Sequence, residues 1–376
     1  MLCSRPTGRI ARGEMRFPLL DIRKFRTDPH TFAEELRHAC HHIGFFQIRT
    51  DTPPALVRRA SELSRRFFEL PEAEKRKIDY VNSAQFRGYM ANGVENTAGK
   101  PDLREQVEIA PEREAAASDA LPPHVRLSGR NQWPTDALPE LQPAVEEYAS
   151  HMGGLAHELT EALSLALGME RSALQRFFEP EPHWQLKLAS YTPASGAGLE
   201  AGGAGGETGG TATESSAPIG VGAHTDSGFL TLLLQDDSGG LQAYAQGEWR
   251  DVPPMGDEVV VCNLGEVAQL LSGGYLLATP HRVLLPPSTR LSIPYFHNPS
   301  IDALIEPLPG VTDGLPWERE ASYDAERHWR RPNNAMLSEY GLNAFKSLAR
   351  SHPAVFARHH PDLEVRADGQ VVVRSA

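Results

Sequence analysis

The chain reads as an α+β protein: an antiparallel β-sandwich or jelly roll behind an α/β N-terminal region, with flanking helices. Three observations predict this. From His183 onward the apolar period is two, broken by frequent Gly, Pro and Asp turns, as a series of short antiparallel strands requires. Ahead of it, Val145, Tyr148, Met152, Leu155, Leu159, Leu163 and Ala166 step by three or four, which is a helix with one buried stripe. The first hundred residues alternate short strand and helix patterns. At 376 residues and 40% hydrophobic, the chain can bury a core without staples.

Element by element, Phe17 to Leu20 is an opening strand. A helix follows with Thr31 as N-cap and Glu34 closing a capping box, Phe32, Leu36, Ala39, Cys40 and Ile43 on one face, and Gly44 at its end. Phe45 to Arg49 is a strand. A second helix runs from near Pro54 and closes at Pro71. The stripe above predicts a spine helix over 143–167. Predicted strands then cover 185–191, 230–234, 241–244, 249–252, 258–264, 282–285 and 291–296, and a C-terminal helix covers 337–347. Residues 194–218, nearly all Gly, Ala, Ser, Thr and Glu, cannot bury enough apolar surface to order and read as a disordered surface insertion. The expected regions are a flexible extension (1–14), an N-terminal region (15–130), spine helices (131–180), a catalytic jelly roll (181–300) and a C-terminal helical segment (301–376).

A net charge of −12 argues against a nucleic-acid partner, which would demand a basic face. No apolar run reaches the length of a membrane span, and no obligate protein partner is evident. Cys3, Cys40 and Cys262 are few, odd in number and far apart, which excludes a disulfide framework and suits reduced thiols in a cytoplasmic protein. Arg5, Arg9 and Arg12, with no acid before Glu14, resemble a transit peptide in charge but lack an amphipathic pattern; an upstream extension ahead of Met15 is the other reading.

The chemistry concentrates at His224-Thr225-Asp226. Residues i and i+2 of extended chain share a face, so His224 and Asp226 can reach one ion. His281 lies downstream, and nine residues later come Arg290 and Ser292, again i and i+2. Two imidazoles and a carboxylate are the facial set of non-haem Fe(II) oxygenases, although zinc accepts such ligands too. Leu291, Ile293 and Tyr295 put Arg290 and Ser292 on the other face of their strand. In a closed jelly roll that face is the interior, where an unpaired Arg is costly and a bound dicarboxylate would satisfy it. Other candidates read as bland: His41-His42 and His359-His360 as solvated pairs, and Asp236-Asp237 as a turn.

Residues 218–299 resemble the Fe(II)/2-oxoglutarate dioxygenases of the isopenicillin N synthase-like family. The resemblance rests on GVGAHTDSGFLTLLLQDDSGGLQ, GEWRDVPP, VVCNLGE and TPHRVLLPPSTRLSIPYF, with FPLLDI, IGFFQI, FRGYM and PDLREQVEI upstream. It implies a double-stranded β-helix in which His224, Asp226 and His281 bind Fe(II). It also implies that Arg290 and Ser292 grip 2-oxoglutarate, with Tyr191 and Asn263 beside it, and that Arg87, Tyr89 and Phe296 meet the substrate. Many relatives carry Arg and Asn ahead of the tyrosine, where this chain has Lys187 and Ala189. The activity implied is O2-dependent hydroxylation, desaturation or cyclisation of a small organic molecule, releasing succinate and CO2. The rivals are an oxidase that does not use 2-oxoglutarate, an ethylene-forming enzyme, and a non-catalytic small-molecule binding protein.

Overall fold

In the computed structural model, residues 16–97, 100–193, 218–316, 336–366 and 369–374 are described. The expected extension at 1–14 and residues 194–217 of the expected insertion lie outside them. β1 (Leu19–Asp21) leads into α1 (Ile22–Thr27) and α2 (Pro29–His42), and β2 (Phe45–Arg49) into α3 (Pro54–Phe68) and α4 (Glu72–Lys75). Next come β3 (Gly88–Met90), β4 (Asn96–Thr97), β5 (Lys100–Pro101), β6 (Glu105–Ile109) and α5 (Leu141–Ala166). β7 (Gln185–Tyr191), β8 (Ile219–His224), β9 (Leu230–Gln235), β10 (Leu241–Ala245), β11 (Glu248–Asp251), β12 (Val259–Leu264), α6 (Glu266–Leu271), β13 (His281–Leu284) and β14 (Arg290–His297) follow. α7 (Tyr340–Ser351), α8 (Pro353–His359) and a hairpin of β15 (Leu363–Val365) and β16 (Val371–Val373) end the described chain.

Eight strands form the larger sheet, in the order β1-β2-β12-β9-β14-β7-β6-β3, and four form the smaller, β11-β10-β13-β8. Every pairing in both is antiparallel except β1 with β2. The two inner faces meet in an apolar layer that includes Tyr191, Val261, Val221, Ala243 and Val283. The larger sheet's outer face packs on α2, α3 and α5 through Phe32, Leu36, Leu63, Met152, Leu159, Leu232 and Ile293, the main core. β12, VVVCNL, is buried at all six positions because it lies mid-sheet with side chains filling both layers. The N-terminal strands are thus part of the larger sheet; β3 and β6 carry no clear alternation and escape a sequence reading.

Several expectations shift. α2 starts two residues before Thr31: Pro29 occupies its first turn and Asp28 is the cap, accepting from the Thr31 amide at 3.2 Å. Gly44 does end that helix in the left-handed region, φ +69°. The tandem histidines are not solvated pairs. His41 is buried, stacks on Tyr275 and bonds its carbonyl through Nδ1. His360 is buried against Phe86. Neighbours on a helix face different ways, which turns His41 inward; His360 lies just past the end of α8, where the chain leaves the helix and the ring packs inward.

Burial holds the His183 and His297 imidazoles down to about 3, and neither ring has a hydrogen-bond partner among the described residues. An unfolded chain protonates these rings below ~6.5, whereas the folded protein does so only near its lowered value. Stability therefore falls as pH drops through that window, by about 1.4 kcal/mol per pH unit per histidine. His297 stacks on Phe178 with ring centroids 4.4 Å apart. His297→Phe keeps the stack and should flatten the urea-unfolding free energy between about pH 6 and 4 by that slope; an unchanged slope counts against it.

Candidate metal centre and co-substrate pocket

Register brings the site together. His224, the last residue of β8, is the cross-strand partner of His281, the first of β13, and their ring centroids lie 4.3 Å apart. Asp226 follows β8 by two residues. Its Oδ1 lies 3.7 Å from Nε2 of His224 and 3.7 Å from Nε2 of His281. Ligand atoms of all three residues lie within 4.8 Å of one another.

Each donor is aimed from behind. Nδ1 of His224 bonds the Gly222 carbonyl at 2.8 Å, and Nδ1 of His281 the Thr279 carbonyl at 3.0 Å. A carbonyl only accepts, so in the neutral ring Nδ1 carries the proton and Nε2 presents its lone pair. Burial lowers His224 to about 4, which favours that neutral form. Asp226 Oδ2 accepts from Thr231 Oγ1 at 2.5 Å and Asn263 Nδ2 at 2.7 Å, which leaves Oδ1 for an ion. Burial alone would raise this carboxyl; the two imidazoles and those two donors keep it below its ordinary value. Asn263 and Thr231 are themselves cross-strand partners on β12 and β9, so the sheet delivers both to one oxygen.

The loop that presents Asp226 is fastened to the start of α6. Glu266 N donates to the Asp226 carbonyl, Val267 N to that of Gly228, and Thr225 Oγ1 to Glu266 Oε1 at 2.6 Å. A Cβ on Gly265 would stand 2.1 Å from the Gly228 carbonyl oxygen and 2.9 Å from that of Asp226. Gly265→Ala should therefore displace the carboxylate and weaken metal binding by about 10- to 100-fold, as losses just behind metal ligands do. Metal titration monitored by protein fluorescence checks this, and native affinity would refute it.

Arg290 and Ser292 face inward as expected and are buried. Arg290 lies opposite Tyr191 and Ser292 opposite Ala189. The guanidinium lies over the Tyr191 ring, Cζ 4.9 Å from its centroid, and Nε donates to the Gly239 carbonyl at 2.9 Å. Nη1 and Nη2 are buried without a hydrogen-bond partner among the described residues. Tyr191 Oη accepts from Arg104 Nη1 at 3.3 Å. Phe296 shares the inward face and is the register partner of Thr231, beside the metal ligands.

Asn263 stands beside the metal ligands, its Nδ2 donating to Asp226. Two expectations change. Arg87 is committed elsewhere, its guanidinium donating to the carbonyls of Pro111, Leu127 and Gly129, so it has no fork left for a substrate. Tyr89 faces the helices, packs in the main core and donates toward Glu72 and Glu105, on the far side of the sheet from the metal ligands. Sequence reasoning also missed Thr231, whose only signal is its place in the DSGFLT stretch, Arg104, which lies in the PDLREQVEI stretch without being singled out, and Glu95, which the chain carries without any motif.

The comparisons with known proteins agree with this geometry. Residues 17–136 match the N-terminal region of non-haem dioxygenases in morphine synthesis, and residues 209–299 match the 2OG-Fe(II) oxygenase superfamily. A 2-oxoglutarate-dependent dioxygenase of Dothideomycetidae sp. (strain 11243) is 32% identical, covering 90% of each chain. A homoarginine-6-hydroxylase of Glycine max is 34% identical over 77% of this chain and 86% of its own length. Among solved structures, full-length Neurospora crassa T7H in complex with alpha-KG superposes with a TM-score of 0.68 at 24% identity, covering 91% of this chain and 98% of that one, and shares the fold. The chain belongs to the 2OG-Fe(II) oxygenases of the isopenicillin N synthase-like family. It is a 2-oxoglutarate-dependent dioxygenase, with Fe(II) as cofactor and 2-oxoglutarate and O2 as co-substrates.

The residues present fit those groups. Nitrogen and carboxylate donors with no thiolate suit ferrous iron. The two free nitrogens of Arg290 suit one end of a dicarboxylate. No described helix is long and apolar enough to cross a membrane.

Proposed function

We propose that His224, Asp226 and His281 hold the iron, that Arg290 and Ser292 hold the far carboxylate of 2-oxoglutarate, and that the enzyme hydroxylates a carbon of a small polar molecule. The observation that carries this is a buried guanidinium, its Nη1 and Nη2 without a hydrogen-bond partner among the described residues, in the same barrel as a preformed His-Asp-His set. When bound, the iron couples decarboxylation of 2-oxoglutarate, giving succinate and CO2, to oxidation of the substrate by O2. The chain's own residues fix positions. Gly222 and Thr279 aim the imidazoles, Thr231 and Asn263 aim the carboxylate, and Arg290 with Tyr191 sets the co-substrate's distance. Phe296 and the apolar layer between the sheets exclude water around it. Residues 181–300 carry this machinery, and 15–130 add the outer strands. Hydroxylation is favoured over desaturation or cyclisation because the soybean relative is a hydroxylase. Free, buried Cys40 and Cys262 suit a reducing cytoplasm.

Mixing the protein with Fe(II) and 2-oxoglutarate without air should give a weak visible charge-transfer band, and admitting O2 with substrate should release succinate. Pure protein that binds neither ligand overturns the assignment of these residues.

A further inference from the structure

Next to the co-substrate pocket lies a network of ions that the chemistry above does not use. Lys187 Nζ lies 3.0 Å from Glu95 Oε1 and 2.7 Å from Glu108 Oε1. Arg104 Nη2 lies 2.5 Å from Glu95 Oε2, while its Nη1 reaches the phenol of Tyr191. So one arginine links the network to the ring beneath Arg290. The network also connects toward the metal side through Thr97. Glu95 stands two residues before Thr97, which lies against Gly222: a Cβ there would meet Thr97 at 3.2 Å. The Gly222 carbonyl is the one that aims His224. Lys187 and Tyr191 share the inward face of β7, and Glu108 is the register partner of Lys187.

Two features separate this network from a structural lattice. Glu95, Arg104 and Lys187 keep 12–15% of their side chains exposed, so the ions open onto space. Beside them Gln106, 1% exposed, donates through Nε2 to Glu108 Oε1 at 3.3 Å and leaves Oε1 with no partner among the described residues. Asp102, 3.3 Å from Arg104 Nη2, brings the network to three carboxylates (Glu95, Asp102, Glu108) against two cations, Lys187 and Arg104. A ligand with one net positive charge balances that excess, and a carboxylate on the same ligand can exchange places with an existing partner of Lys187 and Arg104, so no charge is left unpaired in a poorly solvated pocket.

Resting on the dioxygenase site assignment above, we infer that Glu95, Glu108, Lys187 and Arg104 form the substrate-recognition site and that the substrate is an amino acid with a cationic side chain. Lys187 and Arg104 take its carboxylate. Glu95 and Glu108 take its ammonium or guanidinium, and Gln106 Oε1 accepts a further N–H. The unused C–H bonds between the two ends then lie toward the iron.

The test uses full-length protein loaded with Ni(II) and 2-oxoglutarate, which binds without turning over. L-homoarginine, L-arginine, agmatine (no carboxylate) and N-acetyl-L-arginine methyl ester (no zwitterion) are titrated by calorimetry. At least one of the two amino acids should bind, and the agmatine and blocked ester should bind it at least 10-fold more weakly. Glu108→Gln should weaken that amino acid at least 10-fold while leaving 2-oxoglutarate affinity within two-fold. If Glu108→Gln does not fold, the ligand series on the unaltered protein decides alone. Binding of 2-oxoglutarate with no binding of either amino acid, or equal affinity for the blocked ester, overturns the inference and leaves the site assignment standing. Loss of 2-oxoglutarate binding in the unaltered protein overturns both.

Discussion

Replacing Asp226 with Ala is expected to abolish iron retention and succinate release together. Asp226 is the sole anionic member of the His-Asp-His set, and the two imidazoles that remain bring no negative charge to the ion. Losing a group behind a metal ligand already costs ~10–100-fold in affinity or activity, so losing the ligand itself should exceed that. The substitution also strands Thr231 Oγ1 and Asn263 Nδ2, both committed to Oδ2. Two buried donors without a partner cost about 1–3 kcal/mol each, so the variant's unfolding midpoint should fall as well. Thr231→Val removes one of those donors while keeping the carboxylate, and separates the effects: it should bind iron more weakly but still turn over. An Asp226→Ala protein that retains iron and makes succinate at the native rate would dismantle the assignment of the metal ligands.

Arg290→Met should divide stability from binding. Without co-substrate, Arg290 is a fully buried cation whose Nε donates to Gly239 and whose Nη1 and Nη2 find no hydrogen-bond partner among the described residues. Burial pushes its guanidinium below the usual range, the sign of a charge held at a cost. Methionine fills much the same volume without a charge, so the ligand-free variant should unfold at the same temperature or higher. With 2-oxoglutarate the order reverses. Removing one partner of a buried charge pair costs about 2–5 kcal/mol, roughly 30- to several-thousand-fold in affinity. The thermal upshift that 2-oxoglutarate gives the native protein should vanish. An undiminished upshift in the variant would show that the dicarboxylate is held elsewhere.

How far the chain disclosed these features depends on what a local pattern can encode. His224 with Asp226, and Arg290 with Ser292, stand two apart, and the period of an extended strand alone puts each pair on one face. The strands around them were legible because turn residues separate them cleanly. Register is not local. Nothing near Thr231 or Asn263 says that they oppose each other, and nothing near Glu95 or Glu108 says that one lysine joins them. Arg87 and Tyr89 failed for the same reason. β3 is three residues long, too short to show a period, and the partners that claim Arg87 lie 24 to 42 residues away in sequence. The tandem histidines failed because neighbours that point apart do not both have to meet solvent: His41 turns from its helix into the core, and His360 packs inward just past the end of α8.

The pairing of His224 with His281 also determines which mutations the lineage can survive. Adding or deleting one residue inside β8 or β13 would turn an imidazole to the opposite side of its sheet. Length can vary freely only where no ladder is crossed. Such an enzyme can try new mouths over an unaltered hearth, changing what it admits without relearning how to burn it.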